Sequence, residues 1–223
     1  PPPLPPPTPP TGPGGLRAGA CAVVGMNSDS PDDFAILILE EVPAFTTLWA
    51  TDNGWTAAGA FRAGEGYRTY SPASDVPAGT ILTLTVHFTT SGGGSFNFGG
   101  GGDQILIFTG STSDPTFLCA LNNKGVTGWQ ADATSTSESA LPTGLIDGVT
   151  AVAVSHVDNV VYQGAATEGT PSELRAWIND EGSWGGSNTL TQTMPSTGDF
   201  TVTFPRWWVS PPNPPPDPSP PPP

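Results

Sequence analysis

The chain has 223 residues, only 12% of them charged, with six Lys plus Arg against twenty Asp plus Glu and a formal net charge of −14. That balance excludes the basic footprint of a nucleic-acid binder and disfavours adhesion to anionic lipid. No apolar run reaches the ~18 residues of a membrane span, and abundant Thr, Ser, Gly and Asn point to a secreted protein kept soluble by neutral polar groups or attached sugar.

Proline dominates both ends. Nine of the 28 prolines fall in the first 13 residues and ten in the last 13. Each ring fixes φ and removes an amide donor, so residues 1–13 and 210–223 are predicted to be extended polyproline II segments. Residues 14–209 are expected to form one domain with a hydrophobic core. With no initiator Met and no signal peptide, the chain reads as a piece of a longer precursor or a processed segment. A tandem array of such units and a single domain with a linker on each side both fit.

Strand patterns fill the centre: residues 20–24, 34–39, 46–51, 80–89, 95–98, 104–108, 116–121, 149–154, 160–162 and 200–204. The clearest alternation is 80–89, where Leu82, Leu84, Val86 and Phe88 point one way and threonines the other. Residues 34–39 and 104–108 are continuous apolar runs, as expected of central strands covered on both faces. One helix is predicted: Thr170-Pro171-Ser172-Glu173 is a capping box with proline at the first helical position, and Leu174, Trp177 and Ile178 follow on one face. It should end near residues 179–180. Two loops, 91–102 with seven glycines in twelve residues and the hydroxyl-rich 125–144, are expected to be exposed and mobile. Many short strands and one short helix predict an all-β fold, a β-sandwich flanked by polyproline II segments.

Cys21 and Cys119 each lie in a strand pattern. Two strands facing one core would bring them within bonding reach, and a disulfide is expected in a secreted protein. Enzyme signatures are missing. His87 and His156 stand alone in strand patterns, and there is no Gly-x-Ser-x-Gly elbow, Cys-x-x-Cys pair or phosphate-binding glycine loop. No catalytic residue and no cofactor are expected. The acidic turn at residues 27–33 holds three calcium candidates, Asp29, Asp32 and Asp33, but its spacing misses the EF-hand pattern and it reads first as a strand connection. Asp52-Asn53 and Asp103 likewise read as turn or strand-end residues before ligands.

Seven tryptophans are many for this length. Trp49 and Trp177 fit a core. Trp55, Trp129 and Trp184 sit in loop-like sequence, and adjacent Trp207 and Trp208 must face opposite sides of an extended chain. Trp207, Trp208 and Trp55 are therefore interaction candidates, able to stack on sugar or proline rings.

The Ser219-Pro220-Pro221-Pro222-Pro223 ending, the shorter Ser210-Pro211-Pro212 and the leading proline run resemble the extensin, pherophorin and mastigoneme-like hydroxyproline-rich glycoproteins of plant and green-algal surfaces. The resemblance implies hydroxylation and O-glycosylation at Pro1, Pro2, Pro3, Pro5, Pro6, Pro7, Pro9 and Pro10. It implies the same at Pro211, Pro212, Pro214, Pro215, Pro216, Pro218, Pro220, Pro221, Pro222 and Pro223, and O-linked galactose at Ser210 and Ser219. No Asn-x-Ser/Thr sequon occurs, in keeping with O-linked sugar. The segments Val24-Gly25-Met26-Asn27-Ser28-Asp29, Ala50-Thr51-Asp52-Asn53-Gly54-Trp55, Gly102-Asp103-Gln104-Ile105-Leu106 and Ala176-Trp177-Ile178-Asn179-Asp180 are similar, more loosely, to lamin-tail-like β-sandwich domains. Together these features lead to an expected role as a structural extracellular glycoprotein of a wall, sheath or filament, associating with neighbouring copies. The competing expectation is a carbohydrate-binding adhesin, calcium-dependent or not.

Overall fold

The computed structural model describes residues 15–124 and 128–204, and these form a mostly β structure. In chain order the strands are β1 (Cys21–Asn27), β2 (Asp33–Ile38), β3 (Leu48–Thr51), β4 (Gly66–Tyr70), β5 (Ile81–Thr83), β6 (Thr89–Gly93), β7 (Gln104–Ser111), β8 (Asp114–Asn122), β9 (Ala151–Ala153), β10 (Asn159–Tyr162), β11 (Glu168–Gly169), β12 (Trp184–Ser187) and β13 (Thr201–Val202). A single helical turn, α1 (Leu84–His87), follows β5, and α2 (Pro171–Ile178) follows β11. One sheet runs β12-β10-β1-β2-β5 and the other β6-β4-β3-β7-β8-β9, while β11 and β13 form a parallel ribbon.

The two sheets enclose a shared core. Val23, Met26, Phe34 and Ile36 from the first meet Leu48, Ile105, Ile107 and Leu121 from the second. The alternate residues of the same strands face outward and are covered too. Ala22, Val24, Ala35 and Leu37 pack under Leu174 and Ile178 of α2 and under Phe200. Leu106 and Phe108 pack under Trp55 and Leu145. Burial on both faces is why 34–39 and 104–108 carry no polar alternation.

The disulfide forms between β1 and β8, joining the sheets, with a Cα–Cα separation of 5.8 Å. Helix α2 starts as its sequence dictates: the Thr170 side chain accepts from the Glu173 N–H, and Glu173 Oε2 accepts from the Thr170 N–H at 2.9 Å.

Three strand expectations change. Residues 80–89 are not one strand but β5, α1 and the start of β6, and Val86 is 76% exposed. The chain must turn a corner here to pass from one sheet to the other. Asp33 fixes that corner by accepting from the Thr85 N–H and hydroxyl, and His87 Nδ1 accepts from the Thr83 N–H at 3.0 Å. Residues 95–98 form only an isolated bridge, Ser95 to Glu65, and the Asn97 and Phe98 amides are taken by carboxylate side chains instead of a strand partner. β4, β11 and β12 lie in polar or glycine-rich sequence and had no strand pattern to betray them.

Both described ends lie at one pole. Ala20 O accepts from the Leu39 and Glu40 N–H groups just past β2. The Gly79 N–H donates to Ile38 O at the same strand end, and Val202 lies against Gly79. Arg175 Nη1 of α2 donates to Gly19 O at 3.0 Å, and the Thr203 N–H donates to Gly169 O just before α2.

Candidate functional site

The densest polar chemistry lies at the opposite end of the β3–β7 pair, where acidic residues from separate segments converge. β3 ends into Asp52, and its antiparallel neighbour β7 begins just after Asp103, so the pairing places these two side by side. Asp32 arrives from the β1–β2 turn, and Glu65 immediately precedes β4. Asp52 is fully buried, Asp103 is 2% exposed and Glu65 8%.

Three consecutive amides of the glycine-rich segment end on three of these carboxylates. The Asn97 N–H donates to Asp52 Oδ2 at 2.7 Å, Phe98 to Asp32 Oδ2 at 2.8 Å and Gly99 to Asp103 Oδ2 at 2.6 Å. The remaining oxygens hold the strand ends: Asp52 Oδ1 accepts from Gly66 and Asp103 Oδ1 from Gln104. Gln104 Nε2 donates to Asp52 O and to Thr136 O, extending the network into the hydroxyl-rich loop. Glu65 differs from its neighbours. Its Oε2 is buried without a hydrogen-bond partner.

Burial pushes the Asp103 carboxyl up to about 8, with the charges of Asp52 and Asp32 adding to the shift and the Gly99 and Gln104 amides opposing it. Burial likewise raises Glu65 to about 8, reinforced by Asp52 and Asp103 and opposed by Arg62. Asp52 rises only to about 6, since the Asn97 and Gly66 amides favour its charged form. Asp32 is also raised, by burial first and then by Asp29. Among the described residues, no three Asp, Glu, His or Cys side chains are grouped to hold a metal ion. The carboxylates serve as acceptors for a loop.

The calcium candidates part company. Asp32 joins this network. Asp29 Oδ2 accepts from Asn159 Nδ2 at 2.7 Å, and Asp33 caps the α1 corner. Asp33 also accepts from the adjacent Phe34 N–H, the local turn chemistry expected of an Asp-rich connection, whereas the amide on Asp32 comes from Phe98, far along the chain. His87 lies in α1 and His156 outside any strand, far apart in role: the first accepts from the backbone and the second meets Gly100 O.

Trp55 is not open to a ligand. It is 6% exposed, packed edge-on to Phe61 and Phe117, with its ring N–H donating to Thr143. Its backbone N–H donates to Ser139 Oγ, so part of the 125–144 loop is pinned over it, and Ser139 is fully buried. The glycine-rich loop is likewise anchored, by buried Phe96 and Phe98. Trp207, Trp208 and every proline-tract modification candidate lie outside the described residues. Sequence patterning missed Glu65, which sits in polar sequence; only the pairing of β4 with β3 and β6 brings it to this end.

No family model, curated protein or solved structure matches the chain.

Proposed function

We propose that the chain is a structural unit of an extracellular wall, sheath or surface filament, in which a disulfide-tied domain carries hydroxylated, O-glycosylated proline tracts. The two-sheet arrangement is taken as a lamin-tail-like β-sandwich, and the role as non-enzymatic. The observation that carries this reading is the buried Cys21–Cys119 bond, which suits an oxidising compartment, in a domain whose sequence is flanked by proline runs. The buried acidic groups support it: Asp52 and Asp103 are spent on backbone amides, as in a scaffold.

Neighbouring copies are the proposed partners, through contacts that repeat head to tail. Intact mass and glycopeptide mapping of native material test the reading. Pentose increments on hydroxylated prolines in 1–13 and 210–223 are expected; bare prolines throughout overturn it.

A further inference from the structure

The convergence of three amides on three carboxylates has no counterpart elsewhere among the described residues. Asn97, Phe98 and Gly99 are consecutive, yet their acceptors come from the β1–β2 turn, the end of β3 and the start of β7. Each amide favours the ionised form of its acceptor, so what ionisation works against is the burial of several like charges under one short segment, a cost that opening of that segment relieves. We propose that this triple clamp is a proton-dependent latch, holding residues 94–102 closed while the carboxylates share protons and loosening when all are ionised.

The charges around the latch leave little to offset that cost. On the carboxylate side stand Asp29, Asp32, Asp52, Glu65 and Asp103, with Tyr67 close to Asp52. Two cations on this side offset part of it without bonding a carboxylate: Arg62, which donates to Ala63 O, favours ionised Glu65, and Arg68, 4.9 Å over the Phe96 ring, favours ionised Asp52. On the far side, Lys124 Nζ reaches Gly101 O and Ser137, while His156 meets Gly100 O and pairs with Asp158 at 3.6 Å. Among the described residues no Lys or Arg forms a salt bridge with Asp32, Asp52, Glu65 or Asp103. Glu65 Oε2 has no donor at all, so ionising it adds charge with no bond to compensate.

The segment is built to respond. Its glycines admit many backbone conformations, and beyond the clamp it is held by the Gly94 N–H on Glu65 O and by the buried Phe96 and Phe98 rings, 5.2 Å apart. Opening would uncover these two rings and break the bridge of Ser95 with Glu65.

Amide hydrogen exchange on the full chain, from about pH 5 to about pH 9 and with the intrinsic exchange rate divided out, tests the latch. Protection at Asn97, Phe98 and Gly99 is expected to fall about tenfold or more relative to Met26 in β1, tenfold being the effect of one pKa unit of coupling. Glu65→Gln removes a charge without removing any bond to the loop, and should hold that protection nearly constant. Wild-type protection that stays flat across the range, or a Glu65→Gln variant that loses it as steeply as wild type, overturns the proposal.

Discussion

Gly54 shows how tightly the loops over the second sheet are seated. A Cβ built there would lie 1.9 Å from Glu138 O and 2.8 Å from the Ala133 Cβ, so only glycine lets the 133–139 segment close over Trp55. Gly54→Ala is expected to cost on the order of 2 kcal/mol, the range of overpacking in a closed site. Urea unfolding would read it as a lower midpoint with an unchanged slope. Trp55, expected in a loop, is core for the same reason: the segment around it folds back onto Leu106 and Phe108, burying a ring whose sequence neighbours are polar and small. Burial there was set by a neighbour far along the chain, which no local pattern records.

Among the elements, α2 was the most legible because its signals are local. A capping residue, a proline at the first position and an apolar stripe all lie within nine residues, 170–178. Thr170→Ala removes the acceptor for the Glu173 N–H and should cost about 1 kcal/mol, seen as a lower thermal midpoint and, by hydrogen exchange, as fraying of the first turn. The strand pattern at 80–89 misled for a physical reason. Leu82, Leu84 and Phe88 are all buried, as alternation predicts, but a one-turn helix delivers Leu84 and Phe88 inward while sending Val86 to solvent. Period two and a corner can bury nearly the same residues. The deciding contacts come from Asp33, about fifty positions earlier in the chain.

For the whole molecule, the raised carboxyl groups set the pH dependence. Asp52, Glu65 and Asp103 hold their protons to about 6, 8 and 8 when folded, against about 4 in an unfolded chain. Between those limits the folded state binds more protons than the unfolded state, so stability falls as pH rises from about 4 toward 8. Glu173 and Asp199, lowered by hydrogen bonds from Thr170 and Ser196, act oppositely and only at the acid end. Thermal midpoints are expected to decline from pH 5 to pH 8, with a shallower decline in Glu65→Gln. The disulfide acts on the unfolded chain instead. Cys21 and Cys119 are 98 positions apart, and closing a loop of about that size is worth up to ~4.7 kcal/mol in the chain-entropy model. The Cys21→Ala/Cys119→Ala variant should lose about 2–5 kcal/mol by chemical denaturation.

The sequence alone determined the all-β class, the two doubly covered strands, the helix with its cap and the bonding of the two cysteines. Each rests on periodicity, capping chemistry or residue type, which are local or need only one shared core. The tertiary structure alone decided that the two ends of the described residues lie at one pole and that Asp32, Asp52, Glu65 and Asp103 meet. Those outcomes depend on which strands become neighbours, β3 with β7 and β4 with β3 and β6. Such pairing is a property of the assembled sheets, and the polar residues it gathers carry no periodic mark in the chain.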